Sequence, residues 1–184
     1  MSHPPIIYDP NFLGPNSDVL FNRLWLELDW QERGNTPRRE YYVNDFNEPY
    51  TYGVGEGRRT YEAQAQHPVI QTIRALVEAR VNVPFEVCFL NGYRDGKDQL
   101  GWHADDSLEM DDNRPIAIVS LGARREIYFR PHNDKEDVTK LWLEPGSLCV
   151  MLPGMQETHY HRIPKASYIG CGARISLTFR GLVR

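Results

Sequence analysis

From Phe85 onward the chain is a series of short extended runs broken by turn residues, and this pattern confines it to a folded-over β structure. The runs Glu86 to Tyr93, Pro115 to Leu121, Glu126 to Arg130, Ser147 to Leu152 and Ile175 to Phe179 are rich in β-branched and aromatic residues. Asp95-Gly96, Pro131-His132-Asn133-Asp134, Pro145-Gly146 and Pro153-Gly154 punctuate them with turn chemistry. Strands this short cannot bury a face alone. Many of them following a helical segment predict a rolled, two-sheet structure with helices packed outside, a mainly β fold of the α+β class.

The helical segment comes first. Leu20, Leu24 and Leu28 recur every fourth residue, widened by Phe21 and Trp25, which predicts a helix with Ser17 as its N-cap and a stop near Gly34. A second helix is predicted over His67 to Arg80, with Pro68 in its first turn and Val69, Ile70, Ile73, Leu76 and Val77 on one side. Between them Arg38 to Tyr52 mixes basic, aromatic and turn residues and reads as short strands and loops. A length of 184 residues suits one domain, with a helical part over about 1–84 and a β core over about 85–184.

Composition narrows the function classes only a little. Three scattered cysteines (Cys88, Cys149, Cys171) lack metal-binding spacing and argue against a disulfide framework, which points to a reducing, cytoplasmic setting. No apolar run approaches a membrane span, and no basic-then-apolar leader opens the chain. A net charge of -4 is a mild mark against a nucleic-acid partner, although Arg38-Arg39, Arg58-Arg59 and Arg124-Arg125 are local basic pairs that could meet phosphates.

Two segments carry chemistry. In extended backbone, residues i and i+2 share a face, so His103 and Asp105 of Trp102-His103-Ala104-Asp105 point the same way. Alone, His-x-Asp is common and as easily a surface pair. A distant histidine would complete two imidazoles and a carboxylate, a set that caps one face of an octahedral Fe(II) and leaves three positions open. His159 and His161 are both candidates, and periodicity does not separate them. Zinc with three protein ligands and a water is the rival chemistry.

The other segment, Arg174 to Arg180, alternates cleanly, so Arg174, Ser176, Thr178 and Arg180 share one face. Two buried cations on one strand need anions, which a dicarboxylic co-substrate would supply. The alternative is that one arginine ends in solvent and the other pairs with a structural acid.

Together, Trp102 to Asp105, Tyr160-His161-Arg162-Ile163-Pro164 and Arg174 to Arg180 resemble the AlkB family of Fe(II)/2-oxoglutarate dioxygenases, which remove alkyl groups from nucleobases. The resemblance runs from about Pro37 to Arg180. It implies a double-stranded β-helix (jelly-roll) core, with the N-terminal part as a substrate lid. It selects His161 as the third metal ligand beside His103 and Asp105, and its arginine signature disfavours zinc. It also implies 2-oxoglutarate held by Arg174 and Arg180, with Asn91 and Tyr93 of Asn91-Gly92-Tyr93 adding neutral hydrogen bonds. The family usually carries Asn where this chain has Ser176.

For the substrate, Pro37-Arg38-Arg39 and Pro49-Tyr50-Thr51-Tyr52 resemble the family's strand-reaching loop and stacking element, which implies roles for Arg39, Tyr50 and Tyr52. Nucleobase-repair relatives often carry an acid two residues beyond the metal aspartate; here Ser107 stands there, and Asp106 is its acidic neighbour. The activity implied is O2- and 2-oxoglutarate-dependent demethylation of 1-methyladenine and 3-methylcytosine in single-stranded DNA or RNA by a monomer. Hydroxylation of another substrate, a protein side chain or modified base, is the alternative, and a non-catalytic jelly-roll binding module the remoter one.

Overall fold

The computed structural model describes residues 3–34, 36–52 and 58–183. In chain order the elements are β1 (Ile6–Asp9), α1 (Ser17–Glu27), β2 (Gln31–Glu32), β3 (Arg39–Asn44), β4 (Tyr50–Tyr52), β5 (Arg59–Tyr61) and α2 (Pro68–Val81). The remainder is β6 (Val87–Tyr93), β7 (Leu100–His103), β8 (Ile116–Gly122), β9 (Arg125–Pro131), β10 (Thr139–Leu143), β11 (Leu148–Met151), β12 (His159–Ile163) and β13 (Arg174–Arg180). A seven-stranded sheet in the order β1-β11-β8-β13-β6-β3-β2 faces a four-stranded sheet ordered β10-β9-β12-β7, and β4 pairs with β5 beside them. The paired strands run antiparallel, as the jelly-roll expectation requires.

The larger sheet is covered on both faces. Its outer face packs Ile175, Leu177 and Phe179 of β13 against Leu24 of α1 and Ile70, Ile73 and Val77 of α2. Between the sheets lie Ile118, Ile127, Phe129, Met151 and Ile163. Every residue of β6 and β13 is therefore buried, whereas β9 and β12 alternate buried and half-exposed. This arrangement places the polar face of β13 inside the molecule. Gly92 belongs to the same packing: a Cβ there would lie 3.1 Å from Trp30 and 3.2 Å from Trp25.

The helices depart from expectation at their ends. Ser17 is the first helical residue of α1 and not its cap, because a 3-10 turn over Gly14–Asn16 runs straight into the helix and leaves no extended residue to cap it. The helix stops at Glu27 rather than near Gly34. Leu28 is already extended, which lets Trp30 turn back against Trp25 and Tyr41. In α2, Leu76 is 47% exposed and lies off the buried stripe. Strands β1, β2 and β10 were not expected; they are sheet edges, held by their neighbours' hydrogen bonds more than by their own composition. Because β1 and β3 pair with β11 and β6, the sheet crosses the expected division at about residue 84.

Candidate functional site

The site is assembled where the four-stranded sheet ends. His103 closes β7, and the antiparallel register sets it directly opposite His161 of β12, with ring centroids 4.2 Å apart. Asp105 follows two residues later, beyond the strand, and its carboxylate reaches both rings: Oδ1 is 3.6 Å from His103 Nε2 and Oδ2 is 3.7 Å from His161 Nε2. The three ligand atoms lie within 4.8 Å of one another, a spacing one ion could bridge.

Each group is held in the form a metal needs. His103 Nδ1 lies 2.8 Å from the Gly101 carbonyl, which favours its proton there and leaves Nε2 as the lone-pair donor. Burial pushes the His161 imidazole down to about 3, helped by the neighbouring His103, so it stays neutral. Burial alone would raise Asp105, but Arg180 and the two histidines outweigh it and hold the carboxylate ionised. Gln156 Oε1 accepts the Asp105 backbone N–H at 2.8 Å and anchors the turn. Two neutral imidazoles and a carboxylate fit Fe(II) with open positions.

Strand β13 runs beneath this cluster. Arg180 Nη2 is 2.7 Å from Asp105 Oδ1, so this cation has a protein anion. At the other end Arg174 is fully buried, and Nη2 donates to Ser120 Oγ at 2.8 Å. Among the described residues its Nε and Nη1 donate no further hydrogen bond of good geometry; Tyr93, whose ring lies 5.2 Å from the guanidinium, is the neighbour that partly offsets its burial. Burial pulls Arg174 down to about 10. A buried guanidinium with unmet donors is costly, and a carboxylate would satisfy it in a forked geometry. Between the two arginines, register aligns Ser176 with Asn91 on one side and Ser120 on the other.

Above the metal cluster opens a cavity of about 310 Å³ whose floor includes His103, Asp105 and Arg180. Its walls include Tyr50, Tyr52, Tyr61 and Phe89, with Arg38 and Arg59 adding cations. Tyr52 donates its hydroxyl to the Ala104 carbonyl at 3.2 Å, which fixes it directly over the metal turn. Burial and the nearby Asp105 raise that phenol to about 12, so it remains a proton donor.

Comparison with known proteins agrees with this geometry. Residues 9–180 match the model of the 2OG-Fe(II) oxygenase superfamily. The chain belongs to that family. Within it, the chain is 30% identical over 181 residues to the alpha-ketoglutarate-dependent dioxygenase alkB homolog 3 of Rattus norvegicus, covering 89% of this chain and 59% of the relative. It is 31% identical over 157 residues to the DNA oxidative demethylase ALKBH2 of Mus musculus, covering 81% of this chain and 63% of the relative. The chain thus spans about 60% of the length of these relatives. The solved structure of OsALKBH1 superposes with a TM-score of 0.72 at 15% identity, covering 98% of both chains, which shows the shared fold. The AlkB resemblance read from the motifs is therefore borne out.

Set in this oxygenase frame, the structure brings together His103, Asp105, His161, Arg180, Tyr50 and Tyr52. Arg174, Tyr93 and Ser176 lie on the inner surface of the large sheet, and Asn91 opens to the cavity, where its Oδ1 accepts Arg38 Nε at 2.7 Å. His159, the competing histidine, is buried, with its Nδ1 2.8 Å from the Thr158 hydroxyl and outside the metal cluster.

Three of the expected residues lie away from the cavity. Arg39 does not reach the cavity: strand alternation turns it toward α1, where it pairs with Glu32 at 2.8 Å and lies over the Trp25 ring. Asp106 is exposed and does not line the cavity. Arg125 is buried and donates to the carbonyls of Asp95, Asp98 and Pro164, which makes it a structural clamp and not a phosphate contact.

Arg38 and Glu40 were missed. Arg38 joins Asn91 to Glu40, whose carboxylate it meets at 2.9 Å. Once β3 was extended, their i, i+2 spacing would have put both on one face.

Proposed function

We propose that the protein is an Fe(II)- and 2-oxoglutarate-dependent dioxygenase that removes N-alkyl groups from nucleobases in single-stranded DNA or RNA. The observation that carries this is one polar floor, with a His103-Asp105-His161 cluster beneath an aromatic cavity, Arg180 of β13 against Asp105, and at the far end of β13 a buried Arg174 with no carboxylate partner among the described residues. The names of the relatives, one a DNA oxidative demethylase, support the substrate class.

His103, Asp105 and His161 would hold Fe(II), and when bound with 2-oxoglutarate and O2 the iron supplies the oxidising equivalent for C–H hydroxylation, with release of succinate and CO2. The chain's own residues do the positioning. Arg174 forks onto the distal carboxylate of 2-oxoglutarate, with Tyr93 and Ser176 offering hydroxyls beside it and Asn91 its amide. Arg180 fixes Asp105 and adds positive charge at the iron-proximal carboxylate. Tyr52 stacks on a base drawn into the cavity, a contact of about 1–3 kcal/mol per base. Tyr50 backs it through stacked contact with Tyr42 and Tyr61, at centroid distances of 5.6 and 6.2 Å. The hydroxylated alkyl group then leaves as an aldehyde.

Mass spectrometry on single-stranded oligonucleotides carrying 1-methyladenine or 3-methylcytosine tests the reading. Loss of one methyl mass only with Fe(II) and 2-oxoglutarate present is the expected result. Succinate formation with no loss from either base would remove the substrate assignment and leave hydroxylation of another molecule. That second reading has a foothold in Ser107, which stands where repair relatives often place an acid.

We further propose a monomer acting in the reducing cytoplasm, supported by three free cysteines and checked by sedimentation and cell fractionation. No helix among the described residues is long and apolar enough to cross a membrane.

A further inference from the structure

The outer face of the four-stranded sheet is unlike the rest of this acidic molecule. Alternation that turns His103, His161, Ile127 and Phe129 inward turns Trp102 of β7, Tyr160 and Arg162 of β12, Tyr128 and Arg130 of β9, and Lys140 of β10 outward. Register makes them one array, with Tyr160 opposite Arg130, Arg162 opposite Tyr128, and Lys140 opposite Tyr128.

Cations and rings interleave at contact distance. Arg130 lies 4.2 Å and Arg162 4.7 Å from the Trp102 ring, and Arg162 and Lys140 lie 5.0 and 4.9 Å from Tyr128. The rings hold the guanidiniums without neutralising them. Among the described residues neither Arg130 nor Arg162 has an ion pair, and the Nε of each is buried without a hydrogen-bond partner. Glu126 of β9 is an acid on the same face; it accepts from the Ser167 hydroxyl at 3.0 Å and the Tyr128 hydroxyl at 3.3 Å and forms no ion pair with Arg130, Arg162 or Lys140 among the described residues.

We propose that this face binds the phosphodiester backbone of the single strand whose modified base occupies the cavity. The inference rests on the nucleobase reading above and extends it to the flanking nucleotides. Arg130, Arg162 and Lys140, none in an ion pair among the described residues, give the charge complementarity on a chain of net charge -4, and the rings beneath them hold the cations at the surface. The array spans the sheet's four strands, roughly 14 Å at the usual strand spacing, enough to meet more than one phosphate. It ends at Trp102, whose neighbour His103 lies on the cavity floor, so a strand crossing the β7 edge passes from the array to the metal site.

The test compares two lengths of one substrate. Arg130→Gln/Arg162→Gln keeps the stems and removes both charges. For a single strand of about 20 nucleotides carrying 1-methyladenine, KM should rise about tenfold at physiological salt with kcat unchanged, and the dependence of log KM on log salt should flatten by about 1.4. For a trinucleotide carrying the same base, KM should not change. Fluorescence anisotropy of an unmodified strand on metal-free protein should show the same loss without turnover.

Lys140→Glu, at an exposed position, should act in the same direction and serves if the double variant does not fold. Equal KM on the long strand for wild type and variants would overturn the face alone, with the nucleobase reading intact. Equal loss on both lengths would assign Arg130 and Arg162 to the cavity and also overturn it. Wild type that demethylates neither length would remove the nucleobase reading, and the face with it.

Discussion

The two ends of strand β13 hold the same side chain in opposite circumstances. Arg180 is buried against Asp105 at 2.7 Å, and although burial pulls its pKa down, that carboxylate together with the phenols of Tyr50, Tyr52 and Tyr42 outweighs it and holds the guanidinium above its ordinary value. Arg174 is buried with the Ser120 hydroxyl and Tyr93 as its neighbours and no carboxylate among the described residues, and burial wins, to about 10. One guanidinium has a carboxylate partner in the protein, although its Nε is buried without a hydrogen bond; the other has no carboxylate partner among the described residues. The difference teaches that this strand does two jobs. Arg180 packs on the metal cluster, and Arg174 is the residue proposed to meet the distal carboxylate of 2-oxoglutarate.

The strongest break of that comparison is at the metal cluster. His103→Ala is expected to lower succinate production more than a hundredfold, since even groups that only orient a ligand cost 10–100-fold. Its half-exposed side chain predicts little change in melting temperature. Asp105→Ala is expected to be equally inactive but also less stable by about 3–5 kcal/mol, because it strands Arg180 as an uncompensated buried charge. Denaturation of the metal-free proteins separates the two; equal stability would mean that Arg180 finds water when Asp105 is gone.

At the other end, Arg174→Gln is expected to raise the KM for 2-oxoglutarate about a hundredfold, the worth of roughly two hydrogen bonds to a charged group. Ligand-free stability should change little, because loss of the Ser120 hydrogen bond is offset by removal of a buried charge that no carboxylate among the described residues neutralises. The thermal stabilisation that saturating 2-oxoglutarate gives the wild type should largely vanish. A variant that melts well below wild type without ligand would show that the contacts of Arg174 to Ser120 and Tyr93 already offset its burial.

The contrast between the ends also explains what the sequence made legible. Alternation over Arg174 to Arg180 predicted that both arginines face inward, and spacing predicted that His103 and Asp105 converge; both depend on local backbone geometry. Whether an inward arginine meets an acid is a tertiary fact, and Asp105 lies 75 positions away in the chain from Arg180. The same limit explains Arg39, where the choice between two adjacent arginines turned on which residue began β3. It explains Arg125 too, since a charged residue that ends up clamping three carbonyls reads locally like a surface cation. Edge strands β1 and β2 were illegible because their partners, not their residues, define them.

Tyr52→Leu tests the cavity wall apart from the strand beneath it. Loss of one stacking contact should raise the KM for the alkylated strand roughly tenfold, within the 1–3 kcal/mol range for a base on an aromatic ring. The KM for 2-oxoglutarate should stay unchanged, because Tyr52 touches the Ala104 carbonyl and not the β13 floor. A shift in both constants would mean that the Tyr52 hydroxyl positions the metal turn.

The smallest and sharpest change lies midway between the two arginines. Ser176 is 5% exposed and sits across from Asn91 and Ser120, where its hydroxyl reaches less far than the Asn that the family usually carries. If 2-oxoglutarate lies along this strand between Arg174 and the iron, Ser176→Asn gains one hydrogen bond to it, about 1 kcal/mol, and tightens its affinity by about fivefold. Calorimetric titration of the iron-loaded protein reads the gain, and melting of the ligand-free protein reads any crowding against Ser120. Tighter binding at unchanged melting temperature would place the co-substrate across the middle of β13. Unchanged affinity with a lower melting temperature would mean that the strand centre is already filled by protein, and the ligand would then have to reach Arg174 by another line.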